Sequence, residues 1–362
     1  MQRRIPLFAL LSTFPVVAAA QPAGSTHVRV DDHEPAHSAV QSLELRDRAL
    51  KEAGTLSGST GLLRTVAARS TAEGIFRAGA FTHWYTGTSF LCSASAPCAQ
   101  GAKDDASRFG TTLALSVSPL AMLEGYAALS SSLSSNSAGS PEQQHTLGDT
   151  VLGLKAFSPE PLLRVLRFGG AAEMLLLGGT RGVGFDWAAT GARLRAIGSA
   201  DLNELESRVP LRLHANLGYW LDNSSKLAES AEAESGRRLA RTERFGAGIN
   251  RVDRVQSSLG AEATFTVARP FIEYELGLPI SRQDYGCAGE RSGMGEACLE
   301  DRGLAAYPSL LTLGVRFHPW LKGLQATAAL DAGVTGTSVF VEELAPVASL
   351  RTACSAMTPV GS

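Results

Sequence analysis

The sequence predicts an all-β protein, an antiparallel up-and-down transmembrane β-barrel of about twelve strands. Three observations lead to this prediction: an N-terminal export signal, side chains that alternate between apolar and polar from Ile75 onward, and connections that alternate between short and long. Of the 362 residues, 44% are hydrophobic and 19% are charged, which is too apolar for a disordered chain. Past the N-terminus, no run approaches the ~18 apolar residues that a membrane-spanning helix needs. Strands are therefore the predicted spanning elements.

Residues 1–20 have the features of a cleaved secretory signal peptide. Arg3 and Arg4 give a positive start, an apolar stretch follows over 5–17, and small alanines end the segment at 18–20. The mature chain is expected to begin at Gln21 and to enter an oxidising compartment, since export takes it out of the cytoplasm.

Cysteine placement agrees with export. Four of the five cysteines form two close pairs, Cys92 with Cys98 and Cys287 with Cys298, each in a loop-like stretch, and we interpret both pairs as loop disulfides. A zinc site is the alternative, but CxxC spacing is absent and no histidine lies beside either pair. Cys354 is left over, without a role that the sequence assigns.

The chain divides by composition into four parts. After the signal peptide, residues 21–60 are rich in Ser, Ala, His and acidic residues and predict a periplasmic arm or plug, partly disordered. Residues 61–346 are the predicted barrel, and 347–362 an atypical C-terminal tail. The metal-ligand residue types at 31–37 lie in the low-complexity arm, so we interpret them as a solvated tail and predict no metal site.

Alternation is clearest at 108–118, where Phe109, Leu113 and Val117 share one face while small or polar residues occupy the other. The same period of two recurs in five further segments: 149–157, 165–177, 211–221, 309–317 and 324–334. In all, eleven strands are clear, and a twelfth is expected after Pro346. The closing strand is the element that the pattern defines least.

Connection lengths distinguish a membrane barrel from a soluble β-sandwich, which also alternates. Tight links at 119–121, 159–161, 268–270 and 319–321 are interleaved with long ones at 87–106, 134–146, 178–190, 222–241, 281–306 and 335–346. Short turns on one side and long loops on the other are typical of outer-membrane barrels. Keeping this order also requires that 242–266 form one strand rather than two.

Several phrases of the sequence resemble a bacterial outer-membrane β-barrel module. They are GSTGLLRTVAARSTAEGIFRAG, LGDTVLGLKAFSP, ERFGAGINRVD, PFIEYELGLPI, LTLGVRF and GTSVFVEELAP, together spanning roughly residues 58–346. The resemblance implies a barrel fold and an outer-membrane location, and it carries no catalytic signature. In that family the barrel often precedes an OmpA-like periplasmic domain. Here the chain continues with VASLRTACSAMTPVGS, which departs from the aromatic last strand of the family, and we expect no such domain.

A glycine-rich run at Gly178–Gly184 matches the phosphate loop of dinucleotide-binding oxidoreductases, in which backbone N–H groups hold a pyrophosphate. Against that remote alternative, Glu173 would lie in a buried parallel strand, and the sequence lacks a Tyr-x-x-x-Lys pair. A glycine-rich extracellular loop explains the same residues. We therefore predict no cofactor.

Other signs of catalysis or of nucleic-acid binding are also missing from the sequence. It has no GxSxG motif, and His83 and His214 lie on separate predicted strands with no nucleophile assigned to them. A net charge of −2 gives no concentrated basic face for nucleic acid. We predict that the protein is not an enzyme.

Charged residues on the polar strand faces are the candidate site, because a barrel points them into its lumen. They are Arg108, Asp149, Lys155, Arg167, Glu173, Arg193, Arg195, Arg212, Glu262, Glu273, Glu275, Arg316 and Asp331. Basic residues dominate the early strands and acidic ones the later strands. One interpretation is a transverse field across a water-filled constriction that selects small solutes. The other is that these residues pair across the lumen and close it, and both interpretations satisfy the electrostatics.

Two function classes follow from this lumen. The first is a passive pore or small-solute transporter, and the alternative is a closed structural outer-membrane protein with exposed loops and no transport role. A barrel of twelve strands is intermediate in size between small barrels filled by side chains and large open porins, so its size does not distinguish the two functions. The expected partners are outer-membrane lipid, the barrel-assembly machinery during insertion, and small solutes.

Overall fold

The protein is described here by a computed structural model, which covers residues 50–70, 73–88, 105–137, 142–178, 189–205, 209–236, 243, 247, 253–280, 307–318, 324–334 and 348–359. Its strands are β1 (Ile75–Thr88), β2 (Asp105–Leu120), β3 (Leu123–Asn136), β4 (Gln143–Phe157), β5 (Leu166–Leu176), β6 (Gly191–Asp201), β7 (Leu211–Leu221), β8 (Arg254–Ala263), β9 (Ala268–Pro279), β10 (Ser309–Phe317), β11 (Leu324–Gly333) and β12 (Ala348–Pro359). A helix, α1 (Ser225–Ser235), lies between β7 and β8, and a short 3-10 helix (Leu202–Glu204) follows β6.

The twelve strands form one closed barrel in which each strand pairs antiparallel with its neighbours in sequence. Closure comes from β12, which lies in the segment expected to be an atypical tail and pairs with both β11 and β1. Its register with β1 runs from Ile75 opposite Pro359 to Thr86 opposite Ala348. A closed barrel leaves no unpaired strand edge, which is the condition for β-structure in lipid. The predicted fold class is confirmed.

Apolar side chains cover the outside of the barrel. Leu113, Leu154 and Leu217 are each about three-fifths exposed, although they are large and apolar. Their neighbours in sequence point inward and are small, polar or charged, because side chains of a strand alternate between its two faces. The outer surface is thus suited to lipid and the inner one to water. No helix among the described residues is long and apolar enough to cross a membrane.

The links after β2, β4, β6, β8 and β10 are short and those after β1, β5, β7, β9 and β11 are long, as the sequence predicts. The predicted short link at 268–270 is misplaced, because these residues belong to β9 and the turn before it spans 264–267. The link between β3 and β4 is shorter than predicted, because both strands run further and leave only residues 137–142 between them. Long loops belong to the extracellular side of outer-membrane barrels. The end that carries the links after β1, β7 and β9 is therefore extracellular, and the opposite end is periplasmic.

The prediction of one strand over 242–266 is correct in number but wrong in extent. The strand begins only at Arg254, and Glu243 and Ala247 are helical. Before it, α1 buries Leu227 and Ala228 against Ala247. Alternating apolar residues alone do not determine whether a segment forms a strand or a helix. Here the contact of Ala247 with α1 favours helical structure at that residue.

Residues 50–70, which we call the plug, lie inside the barrel. The plug continues beyond residue 60, where the sequence predicts that the barrel begins, and the first strand of the wall starts only at Ile75. Tight backbone hydrogen bonds hold the plug together, such as Gly61 N–H to Ala53 O and Ala67 N–H to Thr60 O, both 3.0 Å. At its tip Gly58 has a φ of +100°, and a Cβ there would lie 2.7 Å from the carbonyl oxygen of Ala127 in the wall. Glycine therefore suits both the turn and the close approach.

Candidate functional site

Glu273 holds the centre of the plug by its backbone. The carboxylate, on β9 and 2% exposed, accepts hydrogen bonds from three consecutive N–H groups: Leu63 (3.0 Å), Arg64 (3.0 Å) and Thr65 (2.7 Å). A curved run of backbone N–H groups is a natural anion site. One wall carboxylate thus fixes the conformation of this part of the plug.

The side chain of Arg64 extends from the same turn to β10 and β11, the strands next to β9 on the same side of the barrel. Its guanidinium makes a two-pronged ion pair with Asp331 on β11, with distances of 3.0 and 2.8 Å, and also donates to Thr312 Oγ1 at 2.7 Å. Paired, parallel hydrogen bonds between arginine and carboxylate are among the strong ones. Arg64 therefore anchors the plug to β10 and β11.

Glu124 and Lys155 form a second anchor on β3 and β4. Glu124 accepts hydrogen bonds from the backbone N–H and the hydroxyl of Thr60, at 2.8 and 2.9 Å, and pairs with Lys155. Lys155 is fully buried and donates to the plug carbonyls of Thr60, Ala67 and Arg69. A buried ammonium group is stable only with such partners. The plug supplies three of them.

The periplasmic end of the plug is held by a cluster of four charges. Glu52 pairs with Arg212 at 2.9 Å, and Arg69 pairs with Asp201 at 2.8 Å, while Arg212 also contacts Asp201. Burial would raise the pKa of Glu52, but the nearby guanidiniums of Arg212, Arg69 and Arg269 outweigh it and lower the pKa. Glu52 is thus held ionised, as the ion pairs require.

Glu262, on β8, links this cluster to β10, two strands further round the barrel. Its two oxygens accept from Arg212 on β7 (3.3 Å) and Arg316 on β10 (3.2 Å), and Arg316 also donates to the plug carbonyl of Gly61 at 2.8 Å. We call the wall side chains that hold the plug its seat. Glu262 belongs to the seat because it positions these two arginines.

Neutral wall residues add to the seat on β6 and β7. Asn216 both accepts from Val66 N–H and donates to Val66 O, each at 2.7 Å. Ser199 accepts from Ala68 N–H at 2.9 Å and lies 2.8 Å from His214 Nδ1. No partner for His214 was predicted from the sequence, and a serine within hydrogen-bond distance of a histidine is a pairing that hydrolases use. Here Ser199 is 5% exposed and contacts the plug backbone.

Apolar contacts complete the seat. Leu62 and Leu63 are almost fully buried and pack against Phe81 and Phe271, beside small alanines of β2, β3 and β11. Plug residues and wall side chains thus fill this level of the lumen together.

A further charge cluster involves wall residues. Glu173 on β5 pairs with Arg193 and, at 3.4 Å, with Arg195, both on β6, and accepts the hydroxyl of Tyr126 at 2.9 Å. Two guanidiniums share one carboxylate here. This gives the wall one positive charge in excess beside the plug.

The remaining predicted lumen residues lie toward the barrel ends. Arg108 donates to Ser132 at 2.7 Å, Asp149 accepts from Gly178 N–H at 2.9 Å, and Arg167 lies 3.4 Å from Glu204. Glu275 accepts from Gln256 at 2.7 Å. The thirteen charges therefore do not form one cluster, although the structure points them all to the inside.

Several charged residues of the site escaped the sequence analysis: Arg77, Glu124, Asp201, Arg254 and Arg269 in the wall, with Glu52, Arg64 and Arg69 in the plug. The wall residues share the inward phase of their strands, so strand phase was a sufficient signal for them. With these residues added, the expected division into a basic and an acidic wall fails. Carboxylates also occur on the early strands and guanidiniums on the later ones, and Glu124, Glu173 and Arg316 each pair with an opposite charge on a nearby strand. Unpaired charges inside a barrel are costly once water is excluded.

Some predictions fall outside the described residues. The signal peptide, the 31–37 cluster and all four cysteines of the two proposed disulfides, Cys92, Cys98, Cys287 and Cys298, are among them. Of the glycine-rich run, only Gly178 is described. It follows β5, which is antiparallel to both neighbours, whereas dinucleotide binding of this kind needs a parallel strand. That alternative is therefore ruled out by the fold.

No protein-family model matches the chain. No curated protein matches it either. Among solved structures, an outer-membrane channel from Pseudomonas putida F1 has a TM-score of 0.50 at 10% identity, with 80% of this chain and 98% of that chain covered. The fold is that of a bacterial outer-membrane β-barrel. Together with the apolar outer surface, this assigns the chain to the outer membrane.

Two other solved barrels superpose less closely. The toluene transporter TodX from Pseudomonas putida has a TM-score of 0.39 at 9% identity, covering 86% of this chain and 97% of that chain. Outer-membrane phospholipase A from Escherichia coli has a TM-score of 0.36 at 11% identity, covering 76% and 95%. At such identities the likeness concerns the fold.

Proposed function

We propose that this protein is an outer-membrane channel for small solutes, without enzymatic activity, and that the plug is its gate. The observation that carries the proposal is the way in which the lumen is closed. Barrels of about eight strands are filled by their own side chains, whereas wider barrels enclose a passage. Among the residues that the structure describes, one segment, residues 50–70, fills the lumen, and the inner wall around it is mainly polar.

The contacts that hold the plug suit a removable element. Glu273, Lys155 and Asn216 bind it through backbone N–H and carbonyl groups, and water can replace such partners. The apolar contacts form two clusters, one around Leu62 and Leu63 and one in which Val66 and Ala68 pack against Phe157 and Ile197. Release would expose these clusters and leave a passage lined mainly by polar and charged side chains.

Ion pairing supports the alternative, a closed structural barrel that displays its loops. Arg64 with Asp331 and Arg69 with Asp201 are buried pairs between plug and wall, and breaking a buried pair is costly. Under this alternative the plug would never leave. The two functions differ in whether loosening the plug produces a current.

Glu273→Gln tests the proposal, because glutamine keeps the shape but points an N–H₂ group toward N–H groups of the plug. We expect the variant to open frequently in planar lipid bilayers, with a conductance step that the wild type shows rarely. Glu275→Gln is the matched control, since it removes the same charge two residues along β9, where the carboxylate contacts Gln256 instead of the plug.

Both variants must first show a heat-modifiable shift on gels, which reports a closed barrel. Equal currents from the two variants would mean that charge, and not the plug contact, governs conduction. Folded Glu273→Gln protein without any current would favour the structural alternative.

A further inference from the structure

A cavity of about 210 Å³ lies on the extracellular side of the plug. Leu56, Leu63 and Arg64 of the plug form its floor, and wall residues of β6 to β9 form its side. Ligand pockets for drug-sized molecules run from about 300 to 1,000 Å³. This cavity is therefore suited to a smaller solute.

The side of the cavity carries opposite charges on different strands. Arg193 and Arg195, on β6, share the single carboxylate of Glu173, so this part is positive by one charge. Glu275, on β9, faces the same cavity and accepts from the neutral amide of Gln256, so that part is negative. Strands lie about 4.8 Å apart, so three strand steps place the two backbones about 14 Å apart along the wall. The long side chains that extend from both strands reduce the gap between the charged groups to the size of a small molecule.

The side-chain amide of Gln256 has the arrangement of acceptor and donor that a ligand of this cavity would need. Its amide oxygen lies 3.5 Å from Arg193 Nη1, and its amide nitrogen donates to Glu275 at 2.7 Å. An acceptor faces the guanidinium and a donor faces the carboxylate. A molecule with a carboxylate at one end and an ammonium group at the other would match the same two partners with full charges.

Trp220 holds the basic part in place. The guanidinium carbons of Arg193 and Arg254 lie 5.1 and 4.0 Å from the centre of its ring, on a residue that itself lines the cavity. Cation–π contacts of this kind restrict the arginine side chain. Arg195, next on the same face of β6, lines the cavity beside it.

We infer that this cavity binds small zwitterionic solutes of the α-amino-acid type, with the carboxylate at Arg195 and Arg193 and the ammonium group at Glu275. The inference rests on the proposed channel function and names the class of solute that binds on the extracellular side of the plug. Binding itself requires no current, so the two proposals fail separately.

Isothermal titration of the full protein in detergent tests the site with three probes. L-Alanine carries both charges, propionate only the carboxylate and ethylamine only the ammonium group. We expect alanine to bind at least tenfold more tightly than either fragment. Arg195→Gln should reduce alanine to the affinity of ethylamine, and Glu275→Gln should reduce it to that of propionate.

Arg167→Gln is the control for charge, because Arg167 also points inward but lies near the periplasmic end beside Glu204. It should leave alanine binding unchanged. Arg195→Lys keeps the charge and should retain part of the affinity if the glutamine variant fails to fold. Equal binding of alanine and propionate to the wild type would instead indicate an anion site, and no binding of alanine would overturn the inference.

Discussion

Deletion of residues 50–69 is expected to convert the barrel into a permanently open pore, with a steady current in planar bilayers at every voltage tested. The deletion removes nearly the whole plug and no part of the wall. All twelve strands keep their hydrogen-bonded neighbours. The lumen would fill with water, because inward polar and charged side chains of the described wall outnumber apolar ones such as Phe81 and Phe271.

The wall can tolerate this loss because its charges also pair with each other. Lys155 keeps Glu124, Arg212 keeps Asp201, and Glu262 keeps both Arg212 and Arg316. Water can solvate the groups that lose plug partners, above all Glu273. We therefore expect the variant to fold and to remain heat-modifiable.

Replacing residues 50–69 by a Gly/Ser sequence of the same length separates lost contacts from a shortened chain. It should conduct like the deletion, since a flexible segment makes none of the charge contacts. Folded deletion protein that stays as silent as the wild type would show that something other than the plug closes the barrel.

Lys155→Met is expected to lower the free energy of unfolding by about 3–5 kcal/mol, the usual cost of removing one partner of a buried ion pair. Lys155 is fully buried, and its loss removes one of two cations that pair with Glu124, the other being Arg77, and leaves three plug carbonyls short of a donor. Urea unfolding of the protein in lipid vesicles, followed by tryptophan fluorescence, measures the change.

Arg167→Met is the control for Lys155→Met, because the Arg167 side chain is 24% exposed in its pair with Glu204. Exposed pairs contribute only about 0–1 kcal/mol, so this change should be small. Adding Glu124→Gln to Lys155→Met should lower the stability further, since Arg77 pairs with the Glu124 carboxylate at 3.0 Å and would lose it. Similar effects of the two methionine variants would contradict the role assigned to burial.

Strand phase made most of the wall predictable. The alternation over 108–118 and 309–317 defines β2 and β10, and it correctly points Arg108 and Arg316 inward. The phase of a strand is a local property of the sequence, so it can be predicted without knowledge of the rest of the chain. The same logic, applied to the Ser-rich strand β3, would have found Glu124.

The plug was not predictable in this way. Its conformation depends on wall groups far away in sequence, such as Glu273, which lies about 210 residues beyond Leu63. The segment has no period of two or of 3.6 to read, and a compositional boundary at residue 60 divided it. The helix α1 was missed for a related reason, since its buried face is defined by contacts with neighbouring loops.

Hydrogen–deuterium exchange of the wild type in lipid nanodiscs tests most directly whether the plug occupies the lumen. The amides of Leu63, Arg64, Thr65, Val66 and Ala68 each donate to a buried wall side chain. They should therefore exchange as slowly as amides of the wall strands, because exchange requires opening of the hydrogen bond. Exchange of these five amides at the rate of an unstructured peptide, in a barrel whose strands stay protected, would contradict a plugged lumen.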